Sequence, residues 1–240
     1  MDPKDLGPRI GGPKEIRMKL GLLSLSDFAR VARHAFAASA FAFTVALAVP
    51  AAAQNNAQAF VEQEHGRLST LMRASTAPGR DASISQELDR MVDYDELARR
   101  TFGKPCPAAI AQCQNHWDAL TDDQKREVTG LLKRLVERNY KNNLKKTLDY
   151  DVSFKGARPL ASGDTKIRTE AKSRAKPHEA PVTVDYVVAG QPGSFKVVDI
   201  VTEGSSLTKN YFEQFHKMLT TPGQGYPHVV KRLNDRIAGR

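Results

Sequence analysis

The chain has 240 residues and a formal charge of +9, from 36 lysines and arginines against 27 aspartates and glutamates. The two signs are interspersed and no nucleic-acid motif accompanies the excess, so the charge reads as an ordinary solvated surface rather than a polynucleotide-binding face. The length suffices for one domain with a sizeable core, and the absence of G-x-S-x-G, H-E-x-x-H, a P-loop and a dinucleotide fingerprint excludes the enzymes that those motifs announce.

From the N-terminus, Arg17, Lys19, Arg30 and Arg33 precede an apolar run from Ala35 to Val49, and Pro50-Ala51-Ala52-Ala53-Gln54 follows it. A basic flank, a short apolar core and an Ala-x-Ala end form an export signal. The run falls short of the roughly 20 residues of a spanning helix, which leaves an uncleaved anchor as the weaker alternative. The expected division is a leader and signal peptide over residues 1–53, cleaved after Ala53, and a single α+β domain over 54–240; Met18 is an alternative start.

The first half of that domain reads as helical. Asn56 to Met72 carries Phe60, His65, Leu68 and Leu71/Met72 near one stripe, and Ile84 to Met91 is a shorter helical segment. Asp93, with Glu96 three residues on, caps a helix bearing Leu97, Ala98 and Phe102. Thr121 and Gln124 form a capping box ahead of the longest helix, Asp122 to Leu148, whose Val128, Leu131, Leu132, Leu135, Tyr140, Leu144 and Leu148 recur mostly at three and four residues.

Between these helices lie the only cysteines, Cys106 and Cys113. Export permits a disulfide. Seven residues of unbroken helix rise about 10.5 Å, beyond the roughly 7 Å limit between the alpha carbons of a disulfide. Pro107 offers a solution: it can open a short helix while Cys106 stays in the approach, where the chain folds back. A metal site from Cys106, Cys113 and His116 lacks a fourth ligand at a recognised spacing; no metal and no cofactor are expected.

From Tyr150 the period becomes two. Strands are predicted at Tyr150 to Phe154, at Thr165 to Lys172, through Val182, Val184, Tyr186 and Val188, and from Phe195 to Val201. Tight loops between sequence neighbours imply an antiparallel, strongly curved four-stranded sheet with helices over one face. Two helices close the chain, striped by Tyr211, Phe212, Phe215, Met218 and Leu219 and then by Val229, Val230, Leu233 and Ile237. Asp199 stands in an otherwise apolar strand, where an unpaired carboxylate is costly. A structural role, accepting hydrogen bonds from Ser205, Ser206 or the nearby backbone, competes with that of a pocket acid. His216 reads as a satisfied helix histidine.

Three stretches carry a family resemblance: Val92-Asp93-Tyr94-Asp95-Glu96-Leu97-Ala98-Arg99-Arg100-Thr101-Phe102-Gly103; Leu120-Thr121-Asp122-Asp123-Gln124 with Tyr140; and Val184-Asp185-Tyr186 followed by Phe195 to Tyr211 and then Phe215. The order Asp199, Glu203, Gly204, Ser206, Leu207, Asn210, Tyr211 is the specific part. Together they resemble the MlaC-like, toluene-tolerance family of periplasmic phospholipid carriers over about residues 56–238. The resemblance implies a nuclear-transport-factor-like cone enclosing an apolar pocket for acyl chains. It also implies a periplasmic, non-enzymatic, monomeric protein that shuttles phospholipid between an outer-membrane lipoprotein complex and an inner-membrane transporter of the MCE type with an ATPase. A branch of the family is associated with hopanoids. Residues 104–115 look like an insertion, with Trp117 in the place of the family's tryptophan. On this reading Val182, Val184, Tyr186, Val188, Phe195, Val197 and Val201 line one wall of the lipid slot, and Leu131, Leu135, Tyr140 and Leu144 line the other. A non-lipid periplasmic adaptor and a curved-sheet enzyme using Asp199 are the alternatives.

Overall fold

The computed structural model describes residues 51–74, 79–107, 110 and 113–240, without the side chains of 51–53, 55 and 143–147. The apolar run Ala35–Val49 and its basic flank lie outside the described residues. Among those described, six α-helices and five strands follow one another, with a short 3-10 helix at Trp117–Ala119 ahead of α4: α1 (Ala51–Arg73), α2 (Arg80–Met91), α3 (Tyr94–Thr101), α4 (Asp122–Thr147), β1 (Tyr150–Pro159), β2 (Thr165–Ser173), β3 (Val182–Ala189), β4 (Lys196–Thr202), β5 (Ser205–Ser206), α5 (Leu207–Thr220) and α6 (Tyr226–Ala238). No described helix is long and apolar enough to cross a membrane.

The helix starts follow from local chemistry. The Asp93 carboxylate accepts from Glu96 N at 2.8 Å and opens α3. Thr121 and Gln124 satisfy each other's backbone N–H at 3.2 and 2.9 Å and open α4. Ser206 accepts from Lys209 N at 3.1 Å and opens α5. The helices then pack through their apolar stripes. Phe102 after α3 meets Phe215 of α5 with ring centroids 5.1 Å apart, and Val229 and Leu233 of α6 are sealed against α4. Tyr226 of α6 also donates to Gln124 O of α4 at 3.1 Å. Between α1 and α2, Arg67 reaches Glu64 at 3.1 Å and Glu87 at 3.4 Å. Burial and the neighbouring Glu87 push the Glu64 carboxyl upward.

The strands form one antiparallel sheet in the order β1-β2-β3-β4-β5. This corrects the expected architecture. The sheet has five strands instead of four, and it is neither strongly curled nor closed into a cone around a pocket. Because the strands lie in chain order, β1 and β5 end up at opposite margins with no pairing between them. The fifth strand is only two residues long. It pairs Val201 with Ser206 and Thr202 with Ser205 across Glu203-Gly204, both at positive φ (50° and 79°), which is the backbone of a two-residue hairpin. The chain then leaves the sheet as α5.

β1 also runs further than expected, to Pro159 rather than Phe154. The register slips between Phe154 and Gly156, and Gly156 at φ 116° supplies the conformation needed at that bulge.

Most of the helix expected from Pro107 lies outside the described residues; of those described, Ile110 N donates to Pro107 O at 3.0 Å and Cys113 N to Ile110 O at 3.3 Å. Cys106 and Cys113 are disulfide-bonded with alpha carbons 5.8 Å apart. Just beyond, His116 docks on the helices. Its N–H donates to Phe102 O at 2.8 Å, its Nε2 lies 2.8 Å from Nδ1 of His216 on α5, and Phe212 stacks on His216.

That imidazole pair shares one hydrogen bond, which needs a neutral acceptor nitrogen. Burial, and then the charge of His216, hold His116 below its ordinary value of 6.5. The native state therefore binds fewer protons here than the unfolded chain. The associated stability is complete above about pH 6.5 and is lost as pH falls through the depressed folded value. The melting temperature should accordingly drop between pH 7.5 and 5.5, and His116→Gln should flatten that part of the profile. Equal slopes for the two proteins in calorimetry would refute the assignment.

Candidate functional site

Sheet register decides which side chains meet. Val152, Ala171 and Val182 form one row across β1, β2 and β3. Ile167, Tyr186 and Ile200 form another across β2, β3 and β4, and Thr165, Val188 and Val197 a third. Paired residues share a face of the sheet, so these rows, with Phe154 and Val184, make one apolar surface. α1 lies across it: His65 contacts the Phe154 ring edge-on at 6.2 Å, and Phe60 meets Phe195 at 6.1 Å.

Coverage of that surface is uneven. Ile167, Val188 and Val197 are fully buried, at 0–1% exposure. Val152, Phe154, Ala171, Val182, Val184, Tyr186 and Ile200 keep part of their surface accessible. Tyr140 of α4 is likewise half-buried. Burial, and then the charge of Tyr186, raise its phenol. Burial pushes the Tyr186 phenol up to about 12 and that of Tyr140 higher still. The two rings are therefore deep but unsealed, and both stay protonated at any ordinary pH. The result is an apolar tract with one sealed end and one accessible end.

The structure sorts the residues anticipated for the slot. Val182, Val184, Tyr186, Val188 and Val197 share this face. Phe195 packs beside α1. Leu131 and Leu135 are buried on a helix that packs chiefly on α3 and α6, within the helix layer. The side chain of Leu144 lies outside the described residues. Val201 faces the other way, opposite Asp185 and clustered with Val187 and Val198. A register slip explains it. Val187 pairs with Asp199 but Val188 pairs with Val197, so Val198 is an extra residue. One extra residue exchanges the faces of every position beyond it. Ile200 thereby joins Tyr186, where strict alternation from Phe195 puts Asp199, with Val201 on the same face opposite Val184. Val152 and Phe154 were identifiable from their alternation with Asp151, Ser153 and Lys155.

The residues of the specific sequence motif do something different. Asp199 accepts from Ile200 N at 2.8 Å, Thr208 N at 3.0 Å and Ser206 Oγ at 2.6 Å. Burial raises its carboxyl while the Ser206, Thr208 and Ile200 hydrogen bonds act in the opposite direction. Glu203 accepts from Thr183 N at 2.6 Å, Gly204 completes the turn, Asn210 donates to Ser205 at 2.6 Å, and Tyr211 is buried. Asp199 and Asn210 fasten β4 and β5 to α5, while Glu203 ties the turn back to β3. A separate open cleft of about 330 Å³ lies between α3 and α4, lined by Asp93, Asp95, Arg99, Trp117, Lys125 and others. Its charges would lose hydration against hydrocarbon, which makes it unsuitable for a lipid tail.

Residues 67–235 match the family model described as MlaC protein, well over half of the chain. The chain belongs to the MlaC family. Members are non-catalytic periplasmic lipid carriers, in agreement with the expectation of a non-enzymatic protein. Among solved structures, the phospholipid-binding protein from Ralstonia solanacearum, in complex with a phospholipid, has a similar fold: TM-score 0.57 and 22% identity, covering 76% of this chain and 97% of that one. No curated protein matches.

Asp199→Ala removes a carboxylate that joins three donors and leaves Thr208 N–H buried without it. It should cost about 2–4 kcal/mol in urea unfolding, with Asp199→Asn milder. A variant as stable as the wild type would show that the α5 junction is held by other contacts.

Proposed function

We propose that this protein sequesters the acyl chains of a phospholipid on its half-covered sheet face and carries them through the periplasm. The observation that carries the proposal is the continuity of Val152, Ala171, Val182, Val184 and Tyr186 across three strands, apolar yet not sealed. A monomeric soluble protein rarely leaves such surface without a use, and membership of the MlaC family supplies the use. Val182, Val184 and Tyr186 form one wall and Tyr140 stands opposite, while Val188 and Val197 make the sealed floor.

Each methylene removed from water contributes roughly 0.8 kcal/mol, so some thirty contribute on the order of 24 kcal/mol. A bilayer provides nearly the same stabilisation. The carrier therefore needs only to match the membrane, and aliphatic walls suffice without specific chemistry. Such walls discriminate weakly between chain lengths, since one methylene changes little. Headgroups stay near water.

In this reading the segment 1–53 directs export and is removed after Ala53, a cut that takes only the first three residues of α1. The partners are an outer-membrane lipoprotein complex and an inner-membrane MCE-type transporter, with the protein shuttling lipid between them. The cargo is a two-tailed phospholipid or, in the hopanoid-associated branch, a hopanoid.

Native mass spectrometry of protein expressed in a lipid-containing host should find a co-purified two-tailed lipid. Empty protein that also extracts no labelled lipid from vesicles would argue for an adaptor instead. Val184→Asp, placing a charge on the accessible wall, should lower lipid extraction roughly tenfold or more. Arg168→Ser, exposed on the opposite face, should leave extraction unchanged. Wild-type extraction by folded Val184→Asp would remove that position from the wall.

A further inference from the structure

The part of α1 that covers the accessible tract carries a titratable group. His65 sits edge-on to Phe154 of β1 with ring centroids 6.2 Å apart, and both side chains keep part of their surface accessible. Among the described residues the imidazole makes no hydrogen bond and no ion pair. The charged groups nearest to it in the sequence are committed elsewhere. Glu64 is buried and shares Arg67 with Glu87 of α2, at 3.1 and 3.4 Å, and Arg90 joins the same network through Glu87 at 3.3 Å. Glu62 is exposed and bonded to Gln58. Arg73, two turns on, carries a like charge.

The strands beneath α1 offer no counter-ion either. Phe154 pairs with Thr169, and Val152 with Ala171. On that face of β1 and β2 the one titratable side chain is Tyr150, at the start of β1, whereas Asp151, Lys155, Arg168, Glu170 and Lys172 belong to the other face. A neutral imidazole is tolerated here while water reaches it. An imidazolium under an acyl chain is a desolvated charge without a partner, which costs far more. Burial, and then the charge of Arg73, already hold the His65 imidazole below its ordinary value of 6.5. A chain laid over the ring extends that burial, so the loaded carrier binds fewer protons at this point than the empty one. Falling pH therefore favours the empty state.

We propose that His65 makes lipid retention depend on pH: the tract keeps its acyl chains while the imidazole is neutral and surrenders them when it is protonated. The inference rests on the carrier reading above and adds regulation to the same site. Purely aliphatic walls hold a chain equally at every pH and match the bilayer without favouring it. One proton on His65 tips that balance toward the membrane.

The test equilibrates the purified protein with vesicles of labelled dioleoyl-phosphatidylcholine, whose headgroup does not titrate between pH 7.5 and 5.0, and measures protein-bound lipid once the vesicles are removed. Circular dichroism checks that each protein stays folded. Bound lipid should fall roughly threefold or more from pH 7.5 to 5.0 in the wild type. It should stay level in His65→Gln and His65→Phe, while His116→Gln keeps the wild-type fall. Level binding by the wild type, or a folded His65→Gln that keeps the fall, overturns the coupling and leaves carriage intact. A second measurement needs no variant: in an NMR titration the His65 midpoint should lie lower in the loaded protein than in the empty one, and equal midpoints overturn the coupling. Wild-type protein that binds no lipid at pH 7.5 overturns the carrier reading, and the coupling with it.

Discussion

A sheet that does not close has to end somewhere, and here its last margin is held by the Asp199 carboxylate. Three donors from Ile200, Ser206 and Thr208 converge on it, so one side chain joins β4, the two-residue β5 and the first turn of α5. Ser206 serves twice, donating to Asp199 and accepting from Lys209 N. The burial of a carboxylate is tolerated because its lone pairs are occupied. Glu203 adds the bond to Thr183 N that ties the hairpin turn back to β3. At the other margin, the outward positions of β1 are Asp151, Ser153 and Lys155, exposed and polar, a pattern that discourages pairing with another chain. The two edges are managed by different means, and neither requires a barrel.

An open sheet of this kind can divide one face into two regimes. Around Ile167, Val188 and Val197 the face is core and contributes to folding. Elsewhere, including Val152 and Phe154 of β1, the same face keeps accessible apolar area. The division runs along single strands: Val188 is sealed while Val184, four residues away on the same face, is not. Stability and capacity for a ligand thus come from the same alternating strands, and the placement of the helices decides which residue serves which purpose.

Much of the fold was legible locally. The N-cap at Asp93, the capping box at Thr121, the long amphipathic α4 and the alternation of β2 and β3 all follow from short-range rules, and the structure realises them. What escaped depended on context. The bulge at Val198 sits in a run of valines with no glycine to announce it, so the phase of β4 beyond it was assigned to Val201 instead of Ile200. The fifth strand is two residues long, below what periodicity can detect, although Glu203-Gly204 resembles the acidic-glycine signal of a two-residue hairpin. Closure of the sheet is a long-range property. Strong curvature was inferred from tight connections, which fix only that neighbours pair. The motif from Asp199 to Tyr211 identified the family because it is needed to build the β4–α5 junction. Its residues are structural, and the half-covered apolar face lies elsewhere, in positions whose only requirement is to be apolar and in phase.

That separation bears on how such a protein tolerates change. A junction built on directed hydrogen bonds demands particular residues at particular spacings, because losing one partner leaves the others unsatisfied. An apolar wall demands only volume and hydrophobicity, and swaps among aliphatic side chains cost little. Identity with relatives should therefore concentrate at the Asp199 junction and thin out over the apolar tract, which is compatible with a shared fold at 22% identity.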